Sequence, residues 1–460
     1  MRLLSQLFSA ATALLALSSL LCVLSPANAI VIPPSSPTEP FYTSIDFNLP
    51  ARDRWTELIT AVLDYNGFDN SYGKVLDFIE YDLPHGKEII DTLETTLVAM
   101  GERFLHSEVF AEIQGIYSVF EKYSKRMTLG RLVLLNMFYD VTAGCTSVVA
   151  ASTSPRYCRR PLSSQPNAPR ECANATRPVP IHGRNLDFPI PGLANVTSVV
   201  HMVRGDETIA TGVFYAGYVG VLTGQRRGGW SVSVNQRNRH WWTHEEFHII
   251  TNLIAFLSGA ESTGVFLRDS LLNIPTYAQA VEKLSTQVLP APVYLIVAGA
   301  RDGEGAVLTR NRFGLDLSHG KENAVWSIEP TAPVRDDRFA SRGNSSWFRA
   351  ETNEDHWDAP RDKRRAAIND NMSAIGQASI DVSSVLYALN QQPTRNDWTT
   401  FSTVMSPEFD AVNITVHRDA PSNKRFGGEK ANMDAVGELF YHALSEPASY
   451  RRKLGLKPRN

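Results

Sequence analysis

The hydrophobic pattern of this chain turns from mostly helical to strand-rich near Arg131, and that switch restricts its fold more than any other feature. From Arg54 to Arg126 the pattern is mostly helical. Ile89, Leu93, Leu97, Met100 and Phe104 recur every three or four residues and mark one apolar helix face. Such a face either packs into a core or rests on lipid. Beyond Arg131 come short apolar, β-branched runs at 132–135, 145–151, 213–222, 230–234, 293–298, 306–309, 399–405 and 412–417. Helical patterns fall between and after them, at 245–257, 278–289 and 432–444. Strands in runs, with no regular strand–helix alternation, predict a layered α+β domain preceded by a small helical segment.

The first 29 residues carry a different message. Arg2, an apolar stretch over 7–24 and Ala27-Asn28-Ala29 have the order of a cleavable secretory signal. A membrane anchor fits less well, because Thr12, Ser18 and Ser19 interrupt the stretch and no stop-transfer pattern follows. Secretion implies an oxidising compartment. Five Asn-x-Ser/Thr sites, at Asn174, Asn195, Asn344, Asn371 and Asn413, suit that compartment and predict sequon loops facing solvent. Charge excludes nucleic acid as an expected partner, since the whole chain has a net charge of −3. Between residues 30 and 144 lie 9 basic and 17 acidic side chains, against 35 and 31 from Cys145 onward. The two sides of Cys145 are thus weakly complementary, which suits two pieces that stay together and equally suits solvated faces.

Cysteine counting is the first pointer to chemistry. Cys22 leaves with the signal, so Cys145, Cys158 and Cys172 remain, and an odd number leaves one thiol unpaired. Cys158 and Cys172 flank a polar, Pro-rich stretch that a disulfide could close, worth roughly 3 kcal/mol for a loop of about 15 residues. Cys145 is then free, as an inert buried residue or as a nucleophile. No zinc-ligand spacing and no phosphate-binding glycine loop competes for the chemistry. His182 is one possible base. The α-amine of Cys145 is another if the chain is cut just before it, because a free α-amine titrates near about 8, far below lysine.

The motifs around Cys145 carry a resemblance. Gly144-Cys145-Thr146-Ser147-Val148-Val149, then His182-Gly183-Arg184-Asn185-Leu186-Asp187-Phe188, resembles the acid ceramidase and N-acylethanolamine-hydrolysing acid amidase family of N-terminal-nucleophile hydrolases. The likeness continues through Tyr215–Gly224 (YAGYVGVLTG), Asn235-Gln236-Arg237, Thr309-Arg310-Asn311-Arg312, Glu351-Thr352-Asn353-Glu354-Asp355-His356-Trp357 and Arg364-Arg365. Upstream, the stretch 45–55 (IDFNLPARDRW) resembles the opening of the family's small subunit. Nearly all of the chain after the signal is covered, in order.

The resemblance implies a four-layer αββα sandwich and autoproteolysis between Gly144 and Cys145. It also implies a small helical subunit over 30–144 and a catalytic subunit over 145–460, paired as a heterodimer of the two cut chains. Cys145 matches the nucleophile, Asp187 the carboxylate that holds the freed amine, and Arg184 the cation beside the thiol. Asn353 matches the amide that donates to the oxyanion, and Arg364 an arginine tied to the same network. Gln236 stands where the family commonly has Glu, and Gly144 where a bulkier residue is expected. An insertion over 152–178, carrying Cys158 and Cys172, replaces a short hairpin. The implied activity is hydrolysis of fatty amides in a lysosomal or secreted setting, with no cofactor and no metal. Trp241-Trp242 and the TNEDHW stretch lean toward N-acylethanolamines, and AGYVGVLTG leans toward ceramide. A lipid-binding glycoprotein that has lost the chemistry, or an amidase of bile-salt or β-lactam amides, are the remaining readings. Peripheral contact with a membrane would fall on the 89–104 face.

Overall fold

The computed structural model describes residues 30–82, 105–138, 144–153, 156–159, 171–174, 178–188, 190–237, 260–329, 346–359 and 363–418, with isolated positions between 87 and 102. The signal, the 89–104 face, Trp241-Trp242, Asn344, the 245–257 and 432–444 helical patterns and most of the 152–178 insertion lie outside them.

Two sheets form the centre. The smaller has the order β14 (Phe348–Glu351), β2 (Gly144–Ser152), β5 (Val179–Asp187), β15 (Thr399–Ser406), β16 (Ala411–Val416), all antiparallel. The larger runs β1 (Phe41–Asp46), β6 (Thr197–Arg204), β7 (Glu207–Tyr215), β8 (Thr223–Arg226), β9 (Trp230–Gln236), β10 (Val293–Gly299), β11 (Gly305–Asn311), β12 (Gly314–Leu315), with β13 (Val325–Ser327) also on β11.

Strand periodicity explains the layers. Val149 and Ala151 of β2 pack between the sheets with Tyr294, Ile296 and Val307. Val148 and Ala150, on the opposite face, pack with Ile368 and Met372 of helix α6 (Arg364–Ile375) and Val385 and Leu389 of α7 (Val382–Asn390). Both faces of β2 are therefore buried, which is why its sequence reads as a nearly unbroken apolar run. A Cβ on Gly183 would stand 2.5 Å from Val385, so β5 needs glycine where α7 crosses it. On the far side of the larger sheet, Leu267 and Leu271 of α4 (Thr263–Asn273) and Leu284 of α5 (Tyr277–Thr286) join a core that holds Val232, Leu295 and Leu308. Helix, sheet, sheet, helix is the predicted four-layer α+β sandwich.

The segment before Cys145 is built into this frame. Trp55 and three apolar residues of α1 (Thr56–Asn66), Leu58, Ile59 and Val62, are buried, and Trp55 meets Phe214 at 5.3 Å between ring centres. Further helices are α2 (Ser107–Tyr123) and α3 (Leu129–Phe138). Strand β1 pairs in parallel with β6, Phe41 opposite Ser198 and Asp46 opposite Val203. Fully buried Glu112 of α2 binds Arg54 Nη1 at 2.8 Å and Arg268 Nη1 of α4 at 2.5 Å.

Three expectations differ in detail. The run 132–135 lies within helix α3, so the helical part extends past Arg131. The apolar run 213–222 is not one strand. β7 ends at Tyr215, the chain turns through Gly217 at φ 99°, and β8 starts at Thr223. Apolarity alone does not reveal that break, because the turn itself is buried. The expected sequon loops also meet regular structure: Asn371 lies within α6 and Asn413 within β16. Asn195 lies in a short 3₁₀ turn and donates to Asn70 O at 2.7 Å. The backbone of Asn174 ends β4 (Glu171–Asn174). That strand pairs with β3 (Arg156–Arg159), placing Cys158 opposite Cys172.

Candidate active site

The register between β2 and β5 decides which side chains meet. Cys145 lies opposite Leu186, Ser147 opposite Arg184, and Gly144 opposite Asp187. Cys145 and Ser147 share the β2 face of Val149 and Ala151, turned to the larger sheet, and Arg184 comes from the same face of β5. Asp187 falls on the other face with Asn185, which donates to Leu389 O of α7 at 2.7 Å. Alternation thus puts the thiol and its cation between the sheets and the carboxylate against the helices.

Cys145 is free and fully buried. Arg184 Nη2 donates to Cys145 Sγ at 2.9 Å and to Val234 O at 2.9 Å. Arg184 Nη1 donates to Leu222 O at 2.8 Å and to the Thr223 hydroxyl. The carbonyls of Leu222, just before β8, and of Val234 in β9 therefore aim the guanidinium, and its charge faces a fully buried sulfur. Negative charge developing on that sulfur is stabilised there.

The main chain of Cys145 is held as firmly. Its N–H donates to Asn353 Oδ1 at 2.9 Å, and its carbonyl accepts from Arg364 Nη1 at 3.0 Å. Arg364 Nη1 also reaches Asp187 Oδ2 at 2.8 Å, while Arg364 Nη2 reaches Asn353 Oδ1 at 2.8 Å. Asn353 Nδ2 donates to Gln236 O at 2.8 Å, so Gln236 joins through its main-chain carbonyl. Cys145 and the five sequence-selected residues around it are thus in one network. The amide group of Asn353 faces Gln236 O, where the resemblance implied donation to an oxyanion.

His182 does not serve Cys145. Its ring lies between Ser231 Oγ at 3.0 Å and Ser233 Oγ at 2.8 Å. Ser233 continues to Ser147 Oγ at 2.9 Å, and Ser147 to Asn235 Oδ1 at 2.8 Å. Asn235 Nδ2 in turn holds Glu351 O and Thr352 O, both at 3.0 Å, just before Asn353. Burial, and then the nearby Arg184 charge, push the imidazole down to about 3, so it stays neutral.

Sequence reasoning missed Asn396 and Thr399, which bind Asp187 from the start of β15. Thr399 Oγ1 donates to Asp187 Oδ1 at 2.7 Å and Asn396 Nδ2 to Asp187 Oδ2 at 2.9 Å. The available signal was the Asn-x-x-Thr turn spacing in TRNDWTT.

Beside the network lies an apolar pocket. Tyr72 and Leu132 from before Cys145, and Phe188, Ile190, Tyr215 and Leu222 from after it, are among its walls. Tyr215 bridges pocket and site: its hydroxyl is 2.5 Å from Thr400 Oγ1, and burial pushes its phenol well above the usual range.

The chain matches no family model. An N-acylethanolamine-hydrolyzing acid amidase of Rattus norvegicus is 31% identical over 314 residues, covering 67% of this chain and 72% of that protein. One of Caenorhabditis elegans is 29% identical over 380 residues, covering 80% and 90%. An acid ceramidase of Bos taurus is 25% identical over 399 residues, covering 81% and 86%. A solved structure of the Caenorhabditis elegans acid amidase ortholog aligns with 57% of this chain and 93% of its own, at 31% identity and a TM-score of 0.44. The chain belongs to the N-acylethanolamine-hydrolysing acid amidase and acid ceramidase family, whose members are cysteine amidohydrolases acting on linear carboxamides.

Proposed function

We propose that the chain is a secreted or lysosomal enzyme that cuts its own Gly144–Cys145 bond and then hydrolyses N-acylethanolamines to fatty acid and ethanolamine. The observation that carries this reading is the position of Cys145. Its sulfur meets Arg184, its N–H meets Asn353 and its carbonyl meets Arg364, beside an apolar pocket that suits an acyl chain.

In the first reaction the Cys145 sulfur attacks the Gly144 carbonyl, the C–N bond breaks, and the thiol proton passes to the nitrogen, which becomes the α-amine. Water then hydrolyses the thioester, leaving Cys145 at a new N-terminus. In the second, the α-amine takes the thiol proton and the sulfur attacks the substrate amide carbonyl. The amine returns the proton to the leaving ethanolamine nitrogen, and water releases the fatty acid. Asp187 holds the amine, Arg184 stabilises the sulfur, Asn353 turns its donor to the oxyanion, and Arg364 keeps both in register. Gln236 offers this network a neutral residue where a carboxylate is common in the family.

The same proposal includes a signal over residues 1–29, a heterodimer of 30–144 and 145–460, and glycans on the sequons. A Cys158–Cys172 disulfide belongs to it as well. Opposed residues of an antiparallel pair have Cα atoms about 4.5–5.5 Å apart, within the reach of a disulfide. Ceramide is the second substrate reading, favoured by the YAGYVGVLTG stretch, whose residues Tyr215–Tyr218 and Leu222 line the pocket.

Reducing gels of the precursor at about pH 4.5, beside Cys145→Ala, test the cut. A wild-type chain that stays intact and hydrolyses no fatty amide refutes the proposal. Rates on palmitoylethanolamide and on ceramide then separate the two substrates.

A further inference from the structure

Asp187 is a fully buried carboxylate, and the donors around it divide into two groups. Arg364 belongs to the nucleophile's own network. Asn396 and Thr399 belong to a turn that has no contact with Cys145 among the described interactions and meets the carboxylate from the opposite strand. That turn is locked from within. Trp398 N–H donates to Asn396 Oδ1 at 2.9 Å, Asn396 N–H to Thr399 Oγ1 at 3.0 Å, and Thr399 N–H to Asn396 O at 3.1 Å. It is also pinned to β5, because Phe188 N–H donates to Trp398 O at 2.8 Å and Thr400 Oγ1 donates to Leu186 O at 3.1 Å. An irregularity in the β5–β15 ladder falls at Thr399/Phe401, where Thr399 is opposite Asp187.

The turn therefore sets one hydroxyl and one amide on two different oxygens of one carboxylate. A single donor fixes a distance, whereas two donors on separate oxygens also fix the plane of the carboxylate. Three donors offset the cost of burying the charge. We infer that Asn396 and Thr399 are positioning residues that clamp Asp187 as an oriented anion for the Cys145 α-amine. This inference rests on the role proposed above for Asp187. The bulge is what lets Thr399 reach the carboxylate instead of running past it, and β-bulges re-aim side chains in this way beside active sites.

The test compares Thr399→Val, Thr399→Ser, Asn396→Ala and Asp187→Asn, each checked by thermal unfolding. Precursor cutting, kcat and KM on a fatty amide are measured for all four. Thr399→Val and Asn396→Ala should lower kcat roughly 10–100-fold while KM stays within about twofold. Thr399→Ser, which restores the hydroxyl, should recover most of the loss. Wild-type kcat in both Thr399→Val and Asn396→Ala overturns the clamp. If Thr399→Val does not fold, an unchanged kcat in Asn396→Ala overturns it alone. Asp187→Asn separates the two levels: full activity there refutes the role of Asp187 and the clamp together. Its loss beside unaffected clamp variants refutes only the clamp.

Discussion

Arg184 Nη2 touches Cys145 Sγ and Val234 O at the same distance, 2.9 Å, so one guanidinium nitrogen is aimed at a sulfur by a strand carbonyl. Lysine offers a point charge without that planar fork. Arg184→Lys is expected to lower precursor cutting and fatty-amide turnover roughly 10²–10³-fold, the range typical of losing one preorganised donor. Single-turnover assays and the fraction cut on gels measure it. Near-wild-type turnover in Arg184→Lys would mean that charge alone suffices.

Asn353 separates two roles by chemistry. Its Oδ1 accepts from Cys145 N–H and Arg364, whereas its Nδ2 donates to Gln236 O. Asn353→Asp retains the acceptors and loses the donor. It should still undergo the cut, while kcat on a fatty amide falls roughly 10²–10³-fold. Equal loss in both reactions would assign one role to the whole side chain.

His182 makes the fold sensitive to acid. The buried ring titrates at about 3 in the native state, against about 6.5 for an unfolded chain, so the unfolded state binds a proton that the folded state refuses. The folded-state pKa is lowered, so this contribution is fully present above about 6.5 and is lost as pH falls toward 3. At pH 4.5 the loss is roughly 2–3 kcal/mol. Urea denaturation at pH 7 and 4.5 should show a smaller drop in stability for His182→Gln than for wild type. Equal drops in the two proteins exclude His182 as the source.

Glu112 is fully buried between Arg54 and Arg268. Glu112→Gln keeps its volume and removes the buried charge that Arg54 and Arg268 share, leaving Arg54 with Glu108 and Arg268 with Asp269, which costs about 1–3 kcal/mol. The melting temperature of the uncut Cys145→Ala background reports this loss. A change under about 1 kcal/mol would show that water reaches the arginines.

Gly144 leaves room. An added Cβ would lie 3.4 Å from Asp187 Cβ and 3.6 Å from Arg364 Nη1, ordinary contact distances, and no left-handed φ occurs there. Gly144→Ala should therefore cut within about threefold of the wild-type rate. A block to cutting would reveal a need for the glycine that the precursor geometry does not display.

Much of the site was legible because it lies in two strands. Alternation in 145–151 and 181–187 already assigns Cys145 and Arg184 to one face and Asp187 to the other once the strands are paired. The resemblance supplied the pairing that periodicity lacks, and also Asn353 and Arg364, which arrive from distant segments. Asn396 and Thr399 were hidden because a turn's Asn and Thr satisfy their own backbone in most proteins. Only the β15 bulge turns that local habit toward a carboxylate. The break at Gly217 was hidden for the opposite reason: its neighbours are as apolar as a strand.

Strand β1 gives the proposed cut a direction in time. Phe41–Asp46 forms one edge of the larger sheet by pairing with β6, a strand that follows Cys145 in the chain. Before the cut, that edge closes within a single molecule, and the connecting chain sets a high effective concentration. Afterwards the same closure is a bimolecular event. A mature enzyme that unfolds would thus recover at a rate that depends on its dilution, while its precursor would not. Its architecture would then record a folding history that the finished pair of chains cannot readily repeat.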